Sequence, residues 1–162
     1  MRSRNDTALA LLRIGVGVLF LDVAQYKVFG SAFTLGGTFQ RAIEGFVHDG
    51  VAYPFFVPVL RGFVLPHATA IAFFVAYGEL AIGIALVLGV LTRVASAFGL
   101  VYMLTLFVCS NYPGAHAAWW HYLGGGLEHL PFAFCFAAFL VGDAERVLAL
   151  RVPWRRRVGS GG

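Results

Sequence analysis

The chain has 162 residues, 59% hydrophobic and only 12% charged, with a mean hydropathy of +0.79. A soluble domain of this length has too much surface to hide so much apolar area, which excludes a free-standing water-soluble enzyme. The net charge of +4 falls mainly at the ends of apolar stretches, which marks a membrane surface and gives no support to nucleic-acid binding.

Four stretches approach or exceed the roughly 20 residues needed to cross about 30 Å of hydrocarbon. They run from Thr7 to Gly30, His67 to Leu91, Val94 to Tyr112 and Leu127 to Leu148. The expected fold is an all-α membrane protein, a four-transmembrane-helix bundle in one domain over residues 1–148, followed by a basic cytoplasmic tail over 149–162. Arg2 and Arg4 precede the first apolar run. That run carries Arg13, continues to Phe29 and lacks a small-x-small cleavage site, so it reads as a retained helix rather than a signal peptide.

The first loop, Ser31 to Pro66, is long. Phe39, Ala42, Ile43, Phe46 and Val47 recur at helical spacing with Gln40, Arg41, Glu44 and His48 around the turn, which predicts a short amphipathic helix on the outer interface or capping the bundle. Pro54, Pro58 and Pro66 punctuate the aromatic segment that follows, and Pro66 is placed to open the second span. The short connection Gly89 to Arg93 makes the second and third spans antiparallel neighbours. Small residues such as Gly15, Gly17, Gly83 and Gly99 allow close helix approach. Cys109 and Cys135 fall within spans and read as small apolar packers.

Basic residues set the orientation. Arg2, Arg4, Arg93, Arg146, Arg151 and Arg155 to Arg157 gather at the termini and the second loop, whereas the third loop, Pro113 to Gly126, has no Lys or Arg. Both termini are therefore expected in the cytoplasm, in a multi-pass protein of the bacterial inner membrane. All five histidines then map outside, where Trp119, Trp120 and Tyr122 form an aromatic belt.

Ionisable groups within a bilayer cost a few kcal/mol each on insertion scales, so they are the candidates for chemistry. Glu79 lies near the middle of its span and cannot snorkel. It is read either as a proton-accepting or headgroup-binding carboxylate or as a structural one. Asp22, Gln25 and Tyr26 stand at i, i+3 and i+4 and share one face of the first helix. Lys27 points elsewhere, near the outer boundary, and Arg13 is expected to snorkel to the cytoplasmic face. Either one is a further candidate to pair with a carboxylate. Tyr102, Thr105 and Cys109 form a polar stripe on the third span, and Glu128 and His129 stand at the outer entrance of the fourth. The resulting pocket opens outward. Glu79 and Asp22 are the candidate catalytic groups; Gln25, Tyr26, Lys27, Tyr102, Glu128 and His129 are the candidate ligand-binding groups. The histidine spacings match no compact metal-ligand motif, and no P-loop, dinucleotide fingerprint or haem-attachment motif occurs; no haem, nucleotide or metal is expected.

The run Leu11-Leu12-Arg13-Ile14-Gly15-Val16-Gly17 leading to Lys27, then Tyr77-Gly78-Glu79-Leu80-Ala81-Ile82-Gly83 and Leu88-Gly89-Val90-Leu91-Thr92-Arg93, resembles the DoxX family. That family includes the DoxD-like small subunit of thiosulfate:quinone oxidoreductase. The looser ending Val141-Gly142-Asp143-Ala144-Glu145 extends the similarity over roughly Ala8 to Leu148. The resemblance implies a small four-helix membrane protein tied to quinone-linked sulfur oxidation, or to a membrane oxidoreductase complex with superoxide dismutase and a sulfurtransferase. Its matched positions are Arg13, Lys27, Glu79 and Arg93. Three functions stay open at this point: a quinone-binding subunit of an oxidoreductase complex, an anchor or assembly factor for soluble oxidoreductases, and a small-molecule transporter working as a homo-oligomer.

Overall fold

With no water to bond to in hydrocarbon, an apolar segment satisfies its backbone by becoming a helix. The computed structural model describes residues 4–123, 128–142, 144–145 and 148–150, and among them every regular element is helical. Helix α1 spans Arg4–Val28. Two short helices follow, α2 over Ser31–Thr34 and α3 over Thr38–His48. A helical turn, α4 (Val57–Val59), runs directly into a π-helical turn over Leu60–Val64. Then come α5 (Ala68–Leu88), α6 (Thr92–Ser110), a 3-10 turn over Trp119–Leu123, and α7 (Leu130–Val141).

Helices α1, α5 and α6 are long and apolar enough to cross a membrane. The fourth helix is shorter than the stretch expected over Leu127 to Leu148. It has 12 residues, about 18 Å at 1.5 Å per residue, and its ends explain its length. Pro131 sits in its first turn, and at Gly142 the backbone turns extended, with φ −84° and ψ 156°. A Cβ at Gly142 would strike the Leu9 side chain of α1, so the end of α7 lies tight against the start of α1. Most of the expected basic tail, residues 151–162, together with Arg146, lies outside the described residues.

Glycines set how closely the helices approach. A Cβ on Gly17 would come within 2.9 Å of Leu86 and Val87, and one on Gly83 within 2.8 Å of Leu21, so α1 and α5 touch almost backbone to backbone. Gly99 of α6 similarly receives the ring of Phe136 from α7. Gly15, expected to mark a helix contact, has nothing within 4 Å and faces outward. Phe20 joins the two pairs, edge-on to Phe136 at 5.3 Å and to Phe132 at 6.3 Å. Around it, Val16, Leu86, Met103 and Phe139 complete the core. Both cysteines are free, Cys109 fully buried and Cys135 partly so.

At the other end of the bundle the connecting segments form a cap. Helix α3 buries Ile43 against Ala52, Leu60 and Cys109, with Phe39, Phe46 and Val47 packed around them. Gln40 and Glu44 bond to each other on its exposed side, 2.9 Å apart. Two backbone bonds strap this cap to the end of α6: Tyr53 N–H to the Val108 carbonyl (2.9 Å) and Tyr112 N–H to the Val51 carbonyl (2.7 Å). Burial pushes the Tyr53 phenol above its ordinary pKa range, and the neighbouring Tyr122 and Tyr112 add to the shift.

Candidate functional site

Two buried clusters of polar groups lie about 21 Å apart along α1, counted as the helical rise between Arg13 and Lys27. The first is built around Glu79. On α5, Ala72, Ala76, Glu79, Gly83 and Leu86 form one buried stripe, so the carboxylate is carried inward by the same periodicity that packs the helix. Lys27 Nζ lies 2.6 Å from Glu79 Oε1, and the Tyr102 hydroxyl donates to the same oxygen at 2.5 Å. Three helices thus converge on one carboxylate atom. The Lys27 ammonium also sits 5.0 Å from the centre of the Phe33 ring on α2, where the negative face of the ring adds to its stabilisation.

Glu79 Oε2 is buried and has no hydrogen-bond partner among the described residues. A buried acceptor left unsatisfied costs about 1–3 kcal/mol, more when charged. It therefore calls for an explanation.

The cluster faces a cavity of about 350 Å³. Phe20, Leu106 and Phe132 form part of its walls, and Phe39, Ile43 and Phe46 of α3 roof it. Glu128 and His129 also line it. His129 Nδ1 stands 2.9 Å from Asn111 Oδ1, which also accepts from the Ser110 hydroxyl at 3.1 Å.

Of the residues singled out by sequence, the fold brings together Glu79, Lys27, Tyr102, Glu128 and His129 around this cavity. Asp22, Gln25 and Tyr26 do share a face as expected, but it is the exposed one. Gln25 donates to Asp22 at 2.8 Å, Tyr26 is 74% exposed, and none of the three lines the cavity. Lys27, expected to point away toward headgroups, turns inward instead. The reason lies in the packing stripe of α1: Ala10, Arg13, Gly17, Phe20 and Ala24 are buried, and Lys27 continues that series one turn further. Phe33 and the apolar face of α3 also belong to the site. The only sequence signal for Phe33 was its place in the long loop, whereas the apolar face of α3 was marked by the helical spacing of Phe39, Ile43 and Phe46.

The second cluster surrounds Arg13, which is fully buried rather than snorkelling. Its Nη1 donates to the Leu86 carbonyl and its Nη2 to the Leu148 carbonyl, the latter at 2.8 Å. Leu86 lies in the last turn of α5, where carbonyls lack intrahelical partners. Leu150 N–H reaches the Leu88 carbonyl at 2.9 Å, so residues 148–150 are fastened across the end of α5. Gly89 is required there twice over. Its φ is +70°, and a Cβ would collide with Ala149 and the guanidinium of Arg13. Arg93 Nε, in the first turn of α6, lies 3.8 Å from Glu145 Oε1, which follows α7.

Chemically, the two clusters differ. The Arg13 cluster is a cation whose two Nη atoms are spent on backbone carbonyls, with its buried Nε left without a partner among the described residues. The Glu79 cluster sets Lys27, Tyr102 and a carboxylate with one buried, unpartnered oxygen at the wall of an apolar volume, the usual makeup of a small-molecule site.

No curated protein and no solved structure matches the chain. The profile of the DoxX family matches residues 8–111, well over half of the sequence. That span includes Arg13, Lys27, Glu79 and Tyr102, while Glu128 and His129 lie beyond it. On this match, the chain belongs to the DoxX family of membrane proteins.

Proposed function

We propose that the protein is a membrane subunit of a redox system that binds a quinone, or a similar lipophilic redox molecule, in the cavity closed by Lys27, Glu79 and Tyr102. The observation that carries this reading is the unsatisfied Glu79 Oε2 at a largely apolar cavity near the middle of α5. The donor and acceptor set fits such a headgroup. A quinol hydroxyl needs an acceptor, which Glu79 Oε2 provides. A quinone carbonyl needs a donor, and the Lys27 ammonium has N–H groups beyond the one directed at Glu79. A bound quinone supplies a two-electron carrier; the protein's own groups hold its head, exclude water and provide proton-exchanging atoms beside it. The electrons come from a partner protein in this reading.

A fourth membrane crossing belongs to the same proposal. His129 lines the cavity with Lys27, and the Leu148 carbonyl meets Arg13 at the opposite end of α1, so the chain passes from one end of the bundle to the other between them. Arg4 and Arg93 lie at the Arg13 end, which favours that end as cytoplasmic. The cavity then opens outward from a bacterial cytoplasmic membrane, under the amphipathic helix α3.

The test is mass spectrometry of lipophilic molecules retained by the protein purified from native membranes in mild detergent. Stoichiometric quinone, lost in a folded Glu79→Gln variant, is the expected result. Absence of quinone from the wild-type protein, or full retention in Glu79→Leu, overturns the assignment.

A further inference from the structure

A second cavity, of about 370 Å³, lies between α5 and α6. Its walls include Phe74, Gly78 and Ala81 on α5 and Val94 and Phe98 on α6. It shares three residues with the first: Val75, Glu79 and Tyr102 line both. The Glu79–Tyr102 hydrogen bond is therefore flanked by two volumes, one carrying further polar groups and one otherwise apolar.

The groove is open because of how the helices pair. Gly17 and Gly83 on the α1–α5 seam, and Gly99 against α7, are all filled by a neighbouring side chain. Gly78 in the groove has nothing within 4 Å of a Cβ. Phe74 and Phe98 are 74% and 62% exposed, so the groove opens sideways at the level of the spanning helices, where hydrocarbon surrounds the protein.

We infer that this α5–α6 groove holds the hydrocarbon tail of the molecule whose polar head occupies the Lys27–Glu79–Tyr102 cavity. The inference rests on the headgroup site proposed above and adds the route and specificity of its ligand. The shared wall carries the argument. Glu79 is near the midpoint of α5, well below the depth of a phospholipid headgroup. A molecule with its polar head at Glu79 must therefore lead its tail out through the side of the bundle. The groove reaches Glu79 from the side of the bundle, between α5 and α6, and shares Val75, Glu79 and Tyr102 with the headgroup cavity. Occupancy by an unrelated lipid chain is the competing outcome, and it predicts no coupling between groove and headgroup.

The experiment uses the full chain in nanodiscs, titrated with a tail-less benzoquinone and with the same head carrying a decyl chain. Affinities are expressed as mole fractions in the bilayer, so that simple partitioning cancels. Lipid tails are as apolar as the groove, so the preference reflects packing rather than transfer from water. A several-fold preference for the decyl form is expected in the wild type. Gly78→Leu and, independently, Ala81→Leu abolish that preference and leave tail-less binding unchanged. Gly15→Leu, which enters equally open space on α1, keeps it. Equal binding of the two quinones by the wild type, or a preference that survives both filled grooves, overturns the inference while leaving the headgroup site standing. Failure of either quinone to bind the wild type removes the headgroup site and the groove's role together.

Discussion

Lys27 and Arg13 are both cations on the buried stripe of the same helix, yet they are partnered in opposite ways. Arg13 is wholly enclosed and turns its fork onto two carbonyls, one at the end of α5 and one in the segment after α7. Lys27 meets a carboxylate that also receives Tyr102 and keeps one oxygen without a partner. A guanidinium suits the first task because its planar fork spans two acceptors in fixed geometry. An ammonium suits the second because it is a point charge with donors to spare. The difference separates a fastening from a site: one cluster uses its polarity to close the chain, and the other keeps polarity available inside a cavity.

The largest expected effect comes from splitting the pair at the site. Lys27→Met leaves Glu79 as an uncompensated buried charge, which costs about 3–5 kcal/mol. Adding Glu79→Leu removes that charge, so the double variant regains most of the loss while binding no quinone. Reversible unfolding in mixed micelles, run alongside ligand retention, separates the two readouts. A double variant no more stable than Lys27→Met would show that the pair holds the bundle together and would weaken its reading as a site.

Arg13→Met should come next. It strands the buried Leu86 carbonyl, at about 1–3 kcal/mol for a buried group left unsatisfied, and releases the half-exposed Leu148 from the end of α5. Arg13→Lys is not expected to restore the fork. Quinone retention is expected to be unaffected in whatever fraction remains folded. Loss of ligand from folded Arg13→Met protein would mean that the two clusters are coupled, and the contrast between them would fail.

A packing prediction sharpens the same contrast. Gly83→Leu forces a side chain into the α1–α5 seam that sets both clusters, and overpacking of this kind costs about 1–3 kcal/mol. Gly15→Leu adds the same bulk where nothing stands within 4 Å and should be close to neutral. Equal destabilisation by the two would contradict the seam described here.

These glycines also show what was legible in the sequence. The apolar runs announced α1, α5 and α6 by length alone, and the spacing of Phe39, Ile43 and Phe46 announced α3. Glu79 stood out because a carboxylate in mid-span has nowhere else to go. The facing of α1 was not legible in the same way. From Ala8 to Ala24 every residue but Arg13 and Asp22 is apolar, so hydrophobicity has no period to read there, and the polar trio Asp22, Gln25 and Tyr26 drew attention to the wrong side. The better signal was size: Ala10, Gly17 and Ala24 repeat at sevens and mark where α5 approaches, and the buried stripe they define carries Arg13 and Lys27 with it. The groove between α5 and α6 had no sequence signal, since it exists only because those neighbours pack more closely with other helices.

The smallest expected effect is at Asp22, and it decides how far that facing can be relied on. Asp22 is exposed, bonds to Gln25 on its own helix, and lies away from the cavity. Asp22→Asn keeps its size and an acceptor oxygen while removing its charge. At an exposed position with no buried partner, the change in stability should stay within about 0.5 kcal/mol, and quinone retention should match the wild type. Glu79→Gln makes the same chemical change one helix away, from a buried position, and is expected to empty the site. The two isosteric variants therefore differ in burial and placement rather than in chemistry. If Asp22→Asn also lost the ligand, the carboxylate would have to act on the site from outside this chain's own cavity, through a neighbouring copy, and the site would be larger than one bundle.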